Sequence, residues 1–301
     1  MFIPVFTSFL YATSMFCARR SSQIHGPAKA NLLRIGIAAF VLAFYAFLIG
    51  SGVQGAGLYW LLLSGILGMG IGDAGFFAAM PRLGPQLSGI IYQCLAAPFG
   101  ILIEWLWLGI LPARLQMVAA LVVLTGVCVA LWPKEKFAEV SWRQKAYGIL
   151  FALIAALGQS SGAVATRKAV ELNNATGTLV DPITQAFQRS LGGLGIILII
   201  YLWVSWKTRR LPISVPHANA STGTKIFWPT SNAVVGAVLG VASLQWALAS
   251  MPAGIVLSIV ATSPLLLIFM AWIFDGEKPS KQHVVGGILA VIGVAGLRLV
   301  A

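Results

Sequence analysis

The chain has 301 residues and a mass of 31.9 kDa; 58% of its residues are hydrophobic and only 9% are charged. Soluble domains carry about 25% charged residues, so this chain has too few polar side chains to cover a water-exposed surface. The net charge of +12 does not indicate nucleic-acid binding, because Lys and Arg occur in short clusters between apolar runs rather than in one basic patch. The composition excludes a soluble globular protein and predicts an integral membrane protein.

Apolar runs follow one another along the chain with short polar links between them. A spanning helix needs about 20 apolar residues, and ten runs approach or exceed that length. A transmembrane β-barrel would alternate apolar and polar residues, whereas these runs are apolar at both odd and even positions. The sequence therefore predicts an all-α fold whose ten spans lie at residues 2–18, 32–50, 56–80, 86–110, 115–132, 146–168, 188–206, 227–249, 253–275 and 282–300.

Positive charges are distributed unevenly between the two sides that ten alternating spans define. The links after the odd-numbered spans carry 15 Lys and Arg residues, with Arg34 counted among them. The opposite side carries 5, including Arg167 and Arg189. Because cytoplasmic loops are enriched in Lys and Arg, the bias predicts that both termini face away from the cytoplasm.

The two halves of the chain resemble each other. Residues 65–133 align with residues 233–300, which predicts a first five-helix repeat at 1–133, an inter-repeat loop at 134–145 and a second five-helix repeat at 146–301. Because each half has an odd number of spans, the second is inverted relative to the first, as in many secondary transporters. The matching pairs are Gly68 with Gly236, Gly72 with Gly240, Pro98 with Pro264, Gly109 with Gly276, Pro112 with Pro279, Gly126 with Gly293, and Arg34 with Arg189.

Three segments carry a family pattern: YGILFALIAALGQSSGAVATRK at the start of the second half, GDAGFFAAM in the third span, and ATSPLLLIFMAWIFDGEKPSKQHVVGGILAVIGVAGL near the end. In these segments the chain resembles the drug/metabolite transporter superfamily, specifically its EamA-type ten-helix exporters, and the resemblance covers essentially the whole chain. The family's Gly-Glu pair before the last helix of each repeat is Gly276-Glu277 here, whereas Ile110 replaces the glutamate in the first repeat. The resemblance implies an exporter with both termini in the cytoplasm, which is opposite to the orientation that the charge count predicts.

Two acidic residues lie well inside the predicted spans. Asp73 falls in the third span and Glu104 in the fourth, and a charged side chain at the centre of a membrane helix costs about 2.5–3.5 kcal/mol on insertion scales. Each acid therefore requires a partner, a water-filled cavity or a proton. Two roles are open for both: lining a central transport cavity, or a structural hydrogen bond to a neighbouring helix.

Uncharged polar residues in the spans extend this set. Amide side chains in hydrocarbon must find hydrogen-bond partners, and Gln93 shares a helical face with Glu104. Mid-span Pro98 and Pro264, which bend helices at matching places in the two halves, are the candidate hinges. The candidate substrate-binding residues are Asp73, Gln93, Glu104, Gln159, Gln245, Trp246 and Thr262.

The leading functional hypothesis is a secondary transporter that exports a small metabolite or drug-like solute across the inner or plasma membrane by alternating access. The alternatives are an integral-membrane enzyme, for which an HExxH motif is absent from the sequence, and a channel or non-transporting scaffold. The three cysteines have no metal-ligand spacing, and there is no G-x-x-x-x-G-K loop for ATP. We therefore expect no enzymatic activity, no metal or cofactor, no nucleic-acid partner and no need for oligomerisation, with the solute and the lipid bilayer as partners.

Overall fold

The protein is a helical bundle. The computed structural model describes residues 2–132, 141–208, 220–275 and 280–299, and every regular element within these ranges is helical. The predicted all-α class is thereby confirmed. The elements are α1 (Phe2–His25), α2 (Pro27–Leu48), α3 (Leu58–Ser64), the π-helical segment π1 (Gly65–Gly72), α4 (Asp73–Leu108), α5 (Arg114–Leu131), α6 (Trp142–Ala175), α7 (Pro182–Thr208), α8 (Thr222–Asn232), the second π-helical segment π2 (Ala233–Gly240), α9 (Val241–Ser250), α10 (Ala253–Val260), α11 (Ser263–Asp275) and α12 (Lys281–Leu299).

Among the described residues, eight helical stretches are long and apolar enough to cross a membrane, and they overlap the second to ninth predicted spans. The predicted first span, 2–18, lies in α1, a 24-residue helix that is not among the eight. The predicted last span, 282–300, lies on α12, which contributes a shorter apolar helix. Large side chains such as Phe40 and Phe44 are more than 60% exposed on the bundle surface, as lipid-facing residues are. The chain is a multi-pass membrane protein.

Several helices continue through residues that the sequence assigns to polar links. The helical backbone of α4 runs from Asp73 to Leu108, so the predicted link at Arg82 is helical, and the Arg82 guanidinium donates a 2.6 Å hydrogen bond to the Ala78 carbonyl. Likewise α6 extends beyond the predicted 146–168 at both ends. Hydropathy marks the limit of the hydrocarbon layer, whereas a helix continues into the polar region because its backbone hydrogen bonds are satisfied internally.

Two predicted features fall wholly or partly outside the described residues. Positions 134–140 of the inter-repeat loop are outside them, and Ser141 begins the following helix by accepting a 3.4 Å hydrogen bond from the Gln144 amide. The Gly276-Glu277 pair also lies outside the described ranges.

Both π-helical segments have glycine-rich sequences, GILGMGIG in π1 and AVVGAVLG in π2. π-Helical turns are rare and are often found at functional sites. A Cβ atom on Gly68 of π1 would lie 2.6 Å from the guanidinium of Arg189, and one on Gly240 of π2 would lie 2.7 Å from the ring of Tyr11. These glycines therefore leave space for two large side chains that enter the centre of the bundle.

The helix pairs with the most extensive contact are α4 with α6, α5 with α12, and α2 with α7. Small and aliphatic side chains such as Ala97, Ala163, Leu244 and Val256 form a buried core between α4, α6, α9 and α10. Next to this core, helices from the two halves of the chain converge around a central cavity, which positions the residues described below.

Candidate functional site

The central cavity has a volume of about 140 Å³ and is lined from both halves of the chain. Helices α1, α2 and α4 with π1 contribute from the first half, and α6 to α10 contribute from the second. Its lining combines charged, amide, hydroxyl and aromatic side chains. The lining residues are Tyr11, Ser14, Met15, Ala18, Ser22, Ala30, Asn31, Arg34, Met69, Asp73, Phe76, Phe77, Tyr92, Gln93, Gln159, Arg189, Asn232, Val241 and Val260.

Asp73 forms an ion pair with Arg34 inside this cavity. Asp73 is the first residue of α4, directly after π1, and its Oδ2 atom accepts a hydrogen bond from Nη2 of Arg34 on α2. The two side chains are 22% and 19% exposed, and Arg34 Nε also donates to Oδ1 of Asn31 at 3.2 Å. The acid is therefore neutralised by Arg34, which lies in the predicted second span and which the charge count grouped with the preceding link.

Arg189 is the second cavity cation, and it is only 1% exposed. Its Nη1 atom donates to Oε1 of Gln245 at 3.2 Å. Its Nε atom has no hydrogen-bond partner among the described residues, and no carboxylate there forms an ion pair with it. The guanidinium is thus buried against a neutral amide, and its charge is not paired.

The two cavity arginines occupy equivalent places in their helices. Arg34 lies seven residues after Pro27, which begins α2, and Arg189 lies seven residues after Pro182, which begins α7. At 1.5 Å per residue, each arginine is about 10 Å along the axis from the start of its helix. The predicted spans 32–50 and 188–206 include both arginines near their first residues, and the charge count used them for orientation without predicting that they point into the bundle. The shared Pro-x6-Arg spacing is the sequence signal that could have identified them.

Aromatic and hydroxyl groups complete the cavity wall. The rings of Phe76 and Tyr92, both on α4, have centroids 5.1 Å apart. Across the cavity, the Ser14 hydroxyl on α1 donates to Oδ1 of Asn232 on α8 at 2.7 Å. The cavity therefore offers flat apolar surfaces beside its three charged side chains.

The structure brings three predicted site residues into the lining, Asp73, Gln93 and Gln159. Gln245 lies just behind the lining, fully buried and bonded to Arg189. The next residue, Trp246, is 57% exposed on the bundle surface, because consecutive residues of a helix point about 100° apart. Its indole cannot line the cavity in this conformation.

Thr262 is also separate from the cavity lining. Its hydroxyl donates to the Ile259 carbonyl at 2.7 Å, within the break between α10 and α11. Pro264 follows that break near the start of α11, whereas Pro98 is exposed within the continuous helix α4. The two proline positions therefore differ: the helix is interrupted in the second half and continuous in the first.

Glu104 belongs to a different polar cluster. Its side chain is fully buried, forms an ion pair with Arg167 of α6, and accepts a 2.7 Å hydrogen bond from the amide of Ala253, the first residue of α10. The Arg167 guanidinium also donates to the carbonyls of Leu248 and Met251, at 2.9 and 2.7 Å. Glu104 thus connects three helices and is not a lining residue of the cavity.

Among the described residues, no group of three His, Cys, Asp or Glu side chains is arranged to hold a metal ion. The thiols of Cys94 on α4 and Cys128 on α5 lie 3.1 Å apart without forming a disulfide. The chemistry available at the cavity is therefore hydrogen bonding, ion pairing and aromatic contact.

Comparison with known proteins agrees with this architecture. The model of the EamA-like transporter family matches residues 1–132 and 146–299. A solved structure, described only as a crystal structure of a protein, superposes with a TM-score of 0.78 and 16% identity, covering 100% of this chain and 96% of that one. At that identity the likeness shows the fold alone, and no curated protein matches the chain. The family match extends over nearly the whole sequence, and the chain therefore belongs to the EamA-like transporter family.

Proposed function

We propose that the protein is a secondary transporter that exports a small solute across the plasma membrane by alternating access, with the central cavity as its binding site. The observation that carries this proposal is a partly open cavity between helices from both halves, lined by the Arg34–Asp73 pair, amides and aromatic rings. Charged groups inside a membrane protein are costly and commonly mark solute or ion pathways.

The proposed architecture is ten spans in two inverted five-helix repeats, divided as 1–133, 134–145 and 146–301. It is supported by the two π-helical segments in corresponding glycine-rich positions and by the Pro-x6-Arg spacing at Arg34 and Arg189. In this arrangement α1 and α12 complete the span count at either end.

Alternating access requires an element that can bend beside the binding site. The break between α10 and α11 fits this role because Val260, the last residue of α10, lines the cavity, and Pro264 follows two residues after the break. Pro264 has no amide hydrogen for the Val260 carbonyl, which instead accepts a 2.6 Å hydrogen bond from the Ser263 hydroxyl. The backbone is therefore not held by a continuous helical ladder across this break, which lowers the cost of bending. We therefore place the principal hinge at residues 261–264.

The charge bias can be counted again without Arg34, Arg167 and Arg189, which point into the bundle. Arg19, Arg20 and the other Lys and Arg residues of the links after odd-numbered spans still favour termini on the non-cytoplasmic side. A phosphatase fused to the C-terminus should be active in the periplasm or outside the cell if the charges decide the topology. A fluorescent protein that matures only in the cytoplasm reports the opposite orientation.

Transport is tested with purified protein in proteoliposomes loaded with a mixture of amino acids, nucleosides and aromatic acids, with efflux followed by mass spectrometry. We expect saturable efflux of one chemical class, and Asp73→Asn should abolish it because that change leaves the Arg34 charge unbalanced in the cavity. The control is Glu171→Gln, whose carboxylate is 58% exposed and pairs only with Lys168. Efflux that is unchanged in Asp73→Asn removes this acid from the mechanism, and flux that never saturates favours a channel.

A further inference from the structure

The charged groups of the cavity do not cancel. Asp73 forms its ion pair with Arg34 and also attracts Arg189 at longer range, but it is the only acid among the described lining residues and faces two cations. The cavity therefore has an excess of one positive charge.

Arg189 is arranged to receive an anion. An isolated buried charge is unfavourable unless a counter-ion and hydrogen bonds compensate it, yet this guanidinium has only the neutral Gln245 oxygen at 3.2 Å and keeps Nε without a partner. The planar guanidinium presents several donors in a geometry that suits a carboxylate. Since no protein acid fills this role among the described residues, a bound solute can provide it.

The size and the walls of the cavity limit the remainder of the solute. A cavity of about 150 Å³ lined by apolar side chains holds one benzene molecule, and this cavity has a volume of about 140 Å³. Tyr11, Phe76 and Tyr92 provide aromatic surfaces, against which a flat ring packs in offset or edge-to-face geometry. The space therefore accommodates a single ring, and because the cavity is partly open, a short acidic arm can extend beyond that volume.

We propose that the transported solute is a monocarboxylate built on one aromatic ring, with its carboxylate on Arg189. This proposal rests on the proposed function, because it names the substrate class of the same cavity. It also excludes a preference for amino acids, since Asp73, the lining carboxylate among the described residues, is already paired with Arg34 and is not available to bind an ammonium group.

The test is calorimetric titration of the protein in lipid nanodiscs with four probes that share a phenyl ring, three of them with a two-carbon arm and phenylalanine with a three-carbon arm. They are phenylacetate, phenylacetamide, 2-phenylethylamine and phenylalanine. We expect phenylacetate to bind at least ten times more tightly than the neutral amide and the zwitterion, and the amine not to bind. Equal or tighter binding of the amine, or binding of none of the four, overturns the proposal.

A change of one atom tests the role of Arg189. Gln245→Glu places a carboxylate where Oε1 now lies 3.2 Å from Arg189 Nη1, so the protein supplies its own counter-ion while side-chain size is preserved. Phenylacetate affinity should fall at least tenfold, whereas Gln144→Glu, which adds the same charge at the exposed start of α6, should leave it unchanged. Arg189→Gln is the second variant and should lose the preference for phenylacetate over phenylacetamide; unchanged affinity in Gln245→Glu contradicts the proposal.

The two proposals fail in different ways. If phenylacetate binds with this dependence on Arg189 but is not moved in proteoliposomes, the anion site stands and the transport function fails. If another solute is moved in an Asp73-dependent manner and phenylacetate does not bind, transport stands and the substrate class is wrong.

Discussion

Glu104 on α4 and Arg167 on α6 form an ion pair in which the carboxylate is completely removed from solvent. The same carboxylate accepts a hydrogen bond from the amide of Ala253, the first residue of α10. The guanidinium donates hydrogen bonds to the carbonyls of Leu248 and Met251, which precede that helix. Glu104, which the sequence analysis gave as a binding candidate, therefore has a structural role. Together with Arg167 it connects α4, α6 and the link between α9 and α10.

The first prediction concerns the stability that this pair provides. Glu104→Gln leaves the Arg167 charge without its partner, and removing one member of a buried pair costs about 3–5 kcal/mol. Glu171→Gln, which breaks the exposed Lys168 pair on the same helix as Arg167, should cost less than about 1 kcal/mol. Unfolding midpoints in detergent measure both changes. Equal midpoints for the two variants would show that the buried pair does not stabilise the bundle.

The second prediction separates two neighbouring residues of α9. Gln245→Leu removes the acceptor of the Arg189 guanidinium and should destabilise the protein by about 1–3 kcal/mol. Trp246→Leu changes a lipid-exposed side chain and should alter stability by no more than about 0.5 kcal/mol. Solute efflux should persist in Trp246→Leu as well. Loss of efflux in that variant would restore Trp246 to the binding site, where the sequence analysis placed it.

The third prediction uses two consecutive glycines of α12. A Cβ on Gly286 would lie 2.5 Å from the Gly126 carbonyl oxygen of α5, whereas a Cβ on Gly287 would meet nothing within 4 Å. Gly286→Ala should therefore cost about 1–3 kcal/mol through overpacking, and Gly287→Ala should stabilise the helix by about 0.5–1 kcal/mol. Thermal unfolding in the same detergent compares the two. The reverse order would mean that α12 contacts α5 through its other face.

The fourth prediction tests the packing of α4 against α5. The Sγ atoms of Cys94 and Cys128 are 3.1 Å apart, so an approach of about 1 Å brings them to the bonding distance of a disulfide. Copper phenanthroline with dissolved oxygen should take two electrons from the pair and release two protons, which joins the helices. Alkylation after denaturation should then label Cys17 alone. Three labelled thiols after oxidation would show that the two side chains do not meet.

Hydropathy predicted the helical class and the positions of eight apolar helices because the requirement to satisfy every backbone group within hydrocarbon acts locally. It did not predict the uninterrupted helix through Arg82 or the length of α6, since polar helical turns outside the hydrocarbon have no apolar signature. The π-helical geometry of π1 and π2 was also not predicted, because their glycines are equally compatible with close packing of α-helices.

At the cavity, the cost of a charge in the membrane was sufficient to single out Asp73, and the need of amides for partners singled out Gln93 and Gln159. The partner of Asp73 was missed. Arg34 was counted with the link charges because the local sequence at the end of an apolar run does not show whether a charged side chain faces water or points into the bundle. Which face of α9 points to the cavity, with Gln245 inside and Trp246 outside, depends on packing between distant segments and cannot be derived from α9 alone.

From the burial of Arg189 on a candidate membrane-spanning helix we expect the protein to respond to the membrane potential. Its guanidinium lies about two helical turns from the start of α7, and an energised bilayer maintains an electric field across that distance. Transfer of one elementary charge through 100 mV changes its energy by about 2.3 kcal/mol, and a partial displacement changes it in proportion. Any rearrangement that moves this side chain along the membrane normal is therefore favoured at one voltage and opposed at the other, and an anion at the proposed site would cancel the charge and remove that bias.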